Sequence, residues 1–447
     1  MKISIVMPLY NAEKFLNETL DSILQQTFTD YELLCINDAS NDQTVNIVNE
    51  YKKKDARICL INNEERMGTA KSRNRGIETS KGEYIIFLDG DDIFDETMLE
   101  QAYNKAISYR ADIVMFEYAH VISEDIHKKK NIFHSHEYIE KFCKSSFDIF
   151  DVYPCEMSDW ATSPCNKLFS NSFLKTTNLK FQTLKNSNDV FFVEMAYVLA
   201  KRIIKLDDMR VMIYARDHST PTRISFDRDP MCVYEALSAI KQEIKNKSIW
   251  DKTKQYYWYL AFSRLIFAID QTKNQEKAKE FFLYLQNQGM EEILDIPKVS
   301  KQCMNDILKR IVDKFLHSTF ESQIRYQDFF LAFYLEFNKE KVLSLINDYK
   351  KYGGEIGMWG LGKNGIQFMQ FCKDNQVVMD YVIDQDCNKQ KLSHYYTTEI
   401  ITPDKLNQKI KLIIVSSMGI YNEVKRYVTE KEYEINIIDL CTYLNIV

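Results

Sequence analysis

A run of acidic residues, Asp89-Gly90-Asp91-Asp92, directly follows the apolar segment YIIFL. Three carboxylates at the end of a buried strand repel one another, so that binding of a cation is favoured. Hard cations such as Mg²⁺ and Mn²⁺ take oxygen ligands and commonly bridge one or two carboxylates to substrate phosphates. The run therefore predicts a metal-diphosphate site. The structural alternative is an acidic turn that caps the following segment IFDETMLEQA, because Asp and Gly both favour turns and caps.

A second chemical pattern, Gly360-x-Gly362-x-x-Gly365, lies between a predicted strand and a predicted helix. Asp384 stands at the end of the next predicted strand. This is the context of a nucleotide-binding glycine turn, in which backbone N–H groups at a helix N-terminus hold phosphate. The segment covers little more than half of a dinucleotide domain, and the sequence shows no hydride-transfer residues beside it.

The elements that position the acidic run are predicted from four apolar runs separated by segments long enough for helices. This alternation is typical of a parallel sheet that is covered on both faces. Residues Phe15 to Leu24 form a helical stripe, with Asn11 available as its N-cap. The strand ends carry the polar clusters PLYN, NDASND and DGDD, which would converge at one sheet edge. The four runs are Ile3 to Met7, Tyr31 to Ile36, Arg57 to Ile61 and Tyr84 to Leu88.

Ten of the twelve glycines fall into two clusters, which indicates two separate α/β units. Residues 229–352 contain one glycine and long aromatic segments, so we predict a helical region whose aromatic side chains form core. The predicted fold class is α/β, with a Rossmann-like, mostly parallel sheet in residues 1–228. A helical domain spans 229–352, and a small Rossmann-like α/β domain spans 353–447.

The composition excludes several classes of protein. The chain of 447 residues has 58 Lys and Arg against 64 Asp and Glu, a net charge of −6, which gives no long-range attraction for nucleic acid. No apolar run reaches the roughly 18 residues of a membrane-spanning helix; YYWYLAFSRLIFAI is shorter and contains Arg264. Ten scattered cysteines, none in a Cys-x-x-Cys pair, follow a strand-like start and predict reduced thiols in the cytoplasm. Peripheral membrane contact stays open.

The first unit resembles the inverting family-two glycosyltransferases, which have the GT-A nucleotide-sugar-binding fold. The resemblance rests on MPLYNAEKFLNETLDSILQQTFTDYELLCINDASNDQT and GTAKSRNRGIETSKGEYIIFLDGDD, and it is traceable to about residue 228. It implies that Pro8 and Tyr10 border the nucleoside and that Asp38 hydrogen-bonds the uracil edge. Asn37 departs from the family pattern, in which an Asp often precedes the base-reading Asp.

The same resemblance implies the roles of the charged donor-side residues. Arg73 matches the basic residue near the donor, Asp89 matches the first residue of the D-x-D pair, and Asp91 matches the second, which ligates Mn²⁺ or Mg²⁺. A metal held by Asp91 would neutralise the departing diphosphate as a Lewis acid. Arg73 would add electrostatic stabilisation of the same charge.

An inverting displacement also needs a base that takes the proton of the acceptor hydroxyl. The segment FQTLKNSNDVFFVEMAYVLAKR resembles the family stretch in which a carboxylate pair opens a helix beneath the acceptor. This implies that Asp189 is the catalytic base, with Asn188 standing where Glu is frequent. The alternative is that Asn188 or Asp189 caps the helix from Val190.

Two flanking segments also resemble the family. DWATSPCNKLF implies that Trp160 is a sugar-stacking platform on the acceptor side, with burial in the core as the alternative. YARDHSTPTRIS implies that His218 is a third metal ligand and that Arg216 or Arg223 contacts the diphosphate. A solvated His218 is the alternative, because imidazole is a borderline partner for so hard a cation.

These features predict a cytoplasmic, metal-dependent inverting glycosyltransferase that uses a nucleotide sugar, linked to uridine diphosphate (UDP), to extend a glycan, lipid-linked or protein-linked acceptor. We expect no nucleic-acid partner, and a homo-oligomer stays open. A nucleotidyltransferase would need a triphosphate loop that PLYNAEKF does not offer, and a nucleotide-sugar oxidoreductase would use the second glycine cluster. The C-terminal module resembles small Rossmann-like modules of bacterial sugar-modifying enzymes, which implies a structural, oligomerising or nucleotide-sensing role.

Overall fold

The computed structural model describes residues 1–121, 146–149, 162–206, 212–216, 229–295, 312–313, 315–320, 335, 339–386, 398–416 and 418–440. The described residues fall into two compact units, one from residue 1 to 295 and one from residue 312 to 440. The described part of the predicted helical region contributes to both units. The three-domain division stays a prediction.

The first unit opens with strictly alternating strands and helices. Apolar runs that are buried on both faces form the strands, and amphipathic segments form the helices between them. These elements are β1 (Ile3–Leu9), α1 (Leu16–Leu24), β2 (Tyr31–Asn37), α2 (Thr44–Lys54), β3 (Ile58–Asn62), α3 (Thr69–Thr79) and β4 (Tyr84–Phe87). The four predicted strands are confirmed to within two residues at each end.

The rest of the α/β part of this unit is less regular. Its elements are β5 (Ile93–Phe94), α4 (Met98–Tyr109), β6 (Ile113–Met115), β7 (Glu117–Val121), β8 (Lys167–Ser170), α5 (Asn171–Thr177), α6 (Asn188–Leu199), β9 (Ile203–Lys205) and β10 (Met212–Arg216).

Within the described residues, seven strands form one sheet in the order β3-β2-β1-β4-β8-β6-β9. The strands from β3 to β4 run parallel, and β8 is antiparallel to both β4 and β6. Strands β5, β10 and β7 form a small second sheet. The predicted mostly parallel sheet is therefore confirmed, and because β2, β1 and β4 are neighbours, their carboxyl ends meet at one edge.

Asn11 does not cap α1, contrary to the expectation. The helix begins at Leu16 after Phe15, which makes no side-chain cap hydrogen bond. The backbone of Asn11 has φ 49°, and its Oδ1 accepts a hydrogen bond from the N–H of Asn41 at 3.0 Å. The side chain thus links the loops after β1 and β2 instead of capping the helix.

Helix α3 packs tightly on β1 because Gly76 has no side chain. A Cβ atom at this position would lie 2.1 Å from a methyl carbon of Val6. The helix begins after Gly68, whose φ of 87° favours glycine. These two glycines fix the position of Arg73, which lies on the same helix.

Helices complete the first unit, as predicted for this part of the middle region. They are α7 (Met231–Asn246), α8 (Trp250–Gln271), α9 (Gln275–Tyr284), a π-helical turn (Leu285–Gly289) and α10 (Met290–Leu294). The aromatic segment in α8 is buried core, as expected. None of the helices within the described ranges is long and apolar enough to cross a membrane.

The second unit alternates strands and helices. Its elements are α11 (Lys339–Lys351), β11 (Glu355–Trp359), α12 (Lys363–Asp374), β12 (Tyr381–Ile383), β13 (Glu399–Ile401), a 3₁₀ turn (Pro403–Lys405), β14 (Ile410–Val415), α13 (Met418–Glu430) and β15 (Asn436–Asp439). The described strands form a parallel sheet of five in the order β13-β12-β11-β14-β15, and helix α11 packs against β11. The predicted Rossmann-like module is confirmed as a parallel α/β fold.

Cysteines within the described residues are free thiols, as expected. They are Cys35, Cys59, Cys165, Cys232 and Cys372.

Candidate active site

The Asp38 carboxylate lies at the carboxyl end of β2 and is buried. Its Oδ1 accepts hydrogen bonds from Asn63 Nδ2 and the backbone N–H of Met67, both at 2.8 Å, and its Oδ2 accepts one from the N–H of Gly68 at 2.8 Å. Asp38 therefore anchors the loop that leads into α3. A carboxylate has about four acceptor positions, so one position is left for a further donor.

Pro8 lies within β1, and Tyr10 directly follows this strand with 40% of its surface exposed. The guanidinium carbon of Arg66 lies 3.9 Å from the centroid of the Tyr10 ring, which is a cation–π contact. Arg66 precedes Met67 and Gly68, the two backbone donors to Asp38. One loop thus contacts both Tyr10 and Asp38, two of the three positions that the resemblance assigns to the nucleoside.

Arg73 projects from α3 and is 95% buried. Its guanidinium pairs with Asp89 through an Nη2 to Oδ1 distance of 2.9 Å and lies 5.3 Å from the Phe181 ring centroid. Its buried Nε has no hydrogen-bond partner among the described residues. Burial opposes the charge, but the carboxylates of Asp89 and Asp189 outweigh burial and raise the pKa of Arg73.

Asp189 lies in the first turn of α6, close enough to Arg73 for the two charges to affect each other. Burial raises the pKa of Asp189 and the charge of Arg73 lowers it. The residue before α6 is Ser187, so neither Asn188 nor Asp189 is the cap residue that the alternative proposed. The structure thus brings Arg73, Asp89 and Asp189 together, although 116 positions separate the first from the last.

An amide pair holds α3 against the segment before α6. Asn74 Nδ2 donates to the carbonyl of Phe181 at 2.9 Å, and the N–H of Phe181 donates to Asn74 Oδ1 at 2.8 Å. The Phe181 ring stacks on Phe192 of α6 with centroids 3.9 Å apart. These contacts set the distance between the helix of Arg73 and the helix of Asp189.

The acidic run after β4 does not cap the next helix. Helix α4 begins at Met98, and its entry is organised by Asp95, whose Oδ1 accepts from the N–H and hydroxyl of Thr97. Asp89 is engaged by Arg73 and by Cys165 Sγ at 3.5 Å. Asp89 of the D-x-D pair is therefore held in place by an arginine ion pair.

The described residues contain no cluster of three or more His, Cys, Asp or Glu side chains that would hold a metal by itself. A magnesium-type cation that bridges one or two carboxylates to a diphosphate needs no such cluster, because the phosphates and water complete its oxygen shell. The Asp91 carboxylate at the strand end fits this kind of site.

Two buried charged side chains near α6, Lys167 and Glu194, were not named from the sequence, and Arg264 was noted only as a charge within an apolar run. Glu194 also stands alone as a charge within an apolar stretch, and this is the signal that would have found it. A charge in a buried segment needs a buried partner. Trp160, His218 and Arg223 lie outside the described residues, and for Arg216 only the backbone, in β10, is described.

The second glycine turn lies where it was predicted, after β11 and before α12. Gly360 has φ 95°, and a Cβ atom on Gly365 would lie 2.0 Å from the carbonyl oxygen of Gly360. Asp384 follows β12 as expected, and its oxygens accept hydrogen bonds from the N–H groups of Leu361 and Asp386. Its carboxylate thus supports the turn itself.

Comparison with known proteins supports the family suggested by the sequence. The family model of glycosyl transferase family 2 matches residues 4–159. The poly(ribitol-phosphate) beta-N-acetylglucosaminyltransferase TarP of Staphylococcus aureus is 30% identical over 233 residues, which cover 51% of this chain and 67% of TarP. The chain belongs to glycosyltransferase family 2. The glycosyltransferase GlyG of Streptococcus pneumoniae is 28% identical over 231 residues, or 50% of this chain and 74% of GlyG.

In some other relatives the match covers only part of the relative's length. The match to the poly(ribitol-phosphate) beta-glucosyltransferase of Bacillus spizizenii, 29% identical over 296 residues, covers 64% of this chain and 44% of that protein. The chain thus spans less than half the length of this relative. The crystal structure of S. aureus TarS 1-349 in complex with UDP-GlcNAc (UDP-N-acetylglucosamine) has a TM-score of 0.56 and 21% identity, and covers 76% of this chain and 92% of that chain. TarS and this chain share the GT-A type fold.

Proposed function

We propose that this protein transfers a hexose or N-acetylhexosamine from a UDP-sugar to a cell-surface glycan, lipid-linked or protein-linked acceptor, with inversion at the anomeric carbon. The proposal depends most on one observation: Arg73 is buried, forms an ion pair with Asp89 and lies close enough to Asp189 for the two charges to affect each other. Relatives named as glucosyl-, N-acetylglucosaminyl- and galactosyltransferases support the sugar class.

Arg73 is suited to stabilise a departing diphosphate. Its buried Nε has no partner among the described residues, so a donor oxygen would satisfy it. Its ion pair with Asp89 and its contact with Phe181 limit its movement, so little reorganisation is needed when charge develops on the leaving group.

Asp189 is suited to take the proton from the acceptor hydroxyl. Burial raises the pKa of this carboxyl, which makes it a stronger base than an exposed aspartate, while Arg73 keeps the ionised form accessible. We assign the uracil edge to the remaining acceptor position of Asp38, beside Tyr10 and Pro8.

Asp91 would hold the metal, with His218 as a further candidate ligand. A bound Mn²⁺ or Mg²⁺ supplies Lewis-acid neutralisation of the diphosphate. Asp89 then acts mainly by orienting Arg73, because its oxygens already contact Arg73 and Cys165. Trp160 stays the candidate for stacking against the acceptor sugar.

A panel of sugar nucleotides tests the proposal. We expect UDP release from UDP-glucose, UDP-galactose or UDP-N-acetylglucosamine in the presence of Mn²⁺, and little from guanosine or thymidine diphosphate sugars. A variant with Arg73→Met should release UDP at least about 100-fold more slowly, as for loss of one preorganised charge-stabilising group. Absence of UDP release from every donor, with folded protein and metal present, would contradict the proposed activity.

A further inference from the structure

A cleft in the second unit lies at the carboxyl ends of β11, β12 and β13. Trp359 ends β11 and Gly360 follows it, Asp384 directly follows β12, and Pro403 begins the 3₁₀ turn after β13. Helix α13 forms the opposite wall. Its polar and aromatic residues in this wall are Glu423, Arg426, Tyr427 and Glu430.

The cleft coincides with the point where the strand order of this sheet reverses. From β11 the chain builds the sheet in one direction through β12 and β13, and then returns to the other side of β11 with β14 and β15. Ligands of open α/β sheets bind outside the carboxyl ends of the strands at such a switch point. The cleft extends from the end of β11 to the helix that follows β14, so its position is the one that the topology favours for a ligand.

The wall at the end of β11 is bare, rigid backbone. Gly360 has φ 95°, which favours glycine, and therefore no side chain closes the cleft here. Its carbonyl accepts a hydrogen bond from Ser416 Oγ at 2.7 Å, and its N–H donates to the carbonyl of Ile383 at 2.8 Å. These bonds fix the turn, so little ordering is needed when a ligand binds.

The size and charge of the cleft restrict its ligand. Its volume is about 260 Å³, below the roughly 300–1,000 Å³ of pockets for drug-sized ligands, which favours a single small molecule over a dinucleotide. Among the described lining residues, three carboxylates face one guanidinium, and Arg426 Nε lies 3.8 Å from Glu430 Oε1. The excess of negative charge favours a neutral ligand and disfavours a diphosphate within the cleft.

Two walls of the cleft offer different chemistry. The half-buried Tyr427 packs edge-to-face on the buried Trp359, with ring centroids 5.7 Å apart, so its ring is held in place. Such a ring suits a flat aromatic base. Asp384 stands at the end of the second strand, where a carboxylate accepts hydrogen bonds from ribose hydroxyls. A ligand that joins a flat ring to a diol would use both walls.

We propose that this cleft is a binding site for a single nucleoside, with its base against Tyr427 and its ribose hydroxyls towards Asp384. All the residues of the site belong to the second unit. The proposal therefore goes beyond the transfer reaction and does not depend on it.

Calorimetric titration of the full chain with adenosine, guanosine, cytidine and uridine tests the proposal. We expect at least one of them to bind at one site per chain, with a dissociation constant between about 1 μM and 1 mM. In Tyr427→Ala this affinity should fall roughly 5- to 150-fold, as for loss of a base–aromatic contact. Gln385 lines the cleft and is exposed, so Gln385→Phe should fill the cleft without disturbing the core and abolish binding.

The controls separate this site from general damage and from the donor site. Tyr352→Ala makes the same substitution at an exposed tyrosine of the second unit, outside the cleft, and should leave the affinity within about twofold. Asp38→Asn, in the first unit, should leave nucleoside binding at the cleft unchanged. If Tyr427→Ala does not fold, Gln385→Phe decides, because its position is at the surface.

Three results would overturn the proposal. The first is that none of the four nucleosides binds at about 1 mM. The second is an affinity that stays unchanged in either folded cleft variant, because the nucleoside then binds elsewhere. The third is that Gln385→Phe abolishes binding of glucose, or of nicotinamide adenine dinucleotide at least about tenfold tighter than any nucleoside, because the ligand class is then wrong. UDP release by the parent protein tests the proposed function separately.

Discussion

Replacing Asp38 with asparagine separates two roles of this carboxylate, anchoring the loop before α3 and reading the nucleobase. The asparagine oxygen can still accept from Asn63 and Met67, both of which bond to Oδ1. Its NH₂ group would face the N–H of Gly68, which in the parent protein donates to Oδ2. The variant therefore loses one hydrogen bond to a charged acceptor and gains a contact between two donors.

The magnitude of each effect follows from these contacts. A hydrogen bond to a charged group contributes about 1.5–3 kcal/mol, so the free energy of unfolding should fall by about that amount. For a unit of this size the melting temperature should fall by about 3–10 °C. If the remaining acceptor position of Asp38 holds the uracil edge, the affinity for UDP should fall roughly 10- to 150-fold.

Calorimetric titration with UDP and Mn²⁺, together with thermal unfolding without ligand, measures both effects. Asn63→Ala is the matched control, because it leaves the Asp38 carboxylate intact. It removes one donor to Asp38, one hydrogen bond to Ser72 and the acceptor of a hydrogen bond from Arg75. It should lower the melting temperature while UDP affinity stays within about threefold. UDP affinity within twofold of the parent value in Asp38→Asn refutes base reading, and an unchanged melting temperature refutes the anchoring role.

Three further predictions concern the metal, the base and the second unit. Asp91→Ala should abolish most UDP release with little change in melting temperature, because the diphosphate charge is no longer neutralised; full turnover of the parent protein in excess chelator would contradict this. Asp189→Asn should retain donor binding and lose about 10²–10⁴-fold in rate; a rate within a few-fold of the parent value would mean that another group is the base. In the parent protein the rate should fall with decreasing pH, with a midpoint above that of an ordinary aspartate, because burial raises the Asp189 pKa. A chain that ends at residue 299, where the first compact unit ends, should still bind and hydrolyse donor; loss of turnover by the folded fragment would place the C-terminal module in the active site.

The sequence predicts the first sheet well because its signals are local. Apolar runs of strand length alternate with helical stripes, and polar clusters such as DGDD stand at the strand ends. Parallel strands joined by right-handed crossovers bring their carboxyl ends to the same edge of the sheet. Asp38 and Asp89 could therefore be assigned to that edge from the sequence. The sequence also predicts the glycine turn after β11, because the close approach of Gly365 to the carbonyl of Gly360 is a local backbone requirement that glycine meets.

The partners of these groups depended on the tertiary structure. Asp38 accepts three hydrogen bonds from a loop whose path no local pattern predicts, and its role in reading the base stays a prediction. Asn11 was expected to cap a helix, but it bonds to the loop after β2.

The buried charges near α6 show the same limit. Glu194 and Arg264 lie 70 positions apart, and no local pattern pairs them, because a side-chain contact between α6 and α8 joins them. The sequence by itself determined which residue types stand at the strand ends and therefore the class of chemistry. The tertiary structure decided which charges compensate one another, because Coulomb interactions depend on distance and burial, and neither is encoded in sequence spacing.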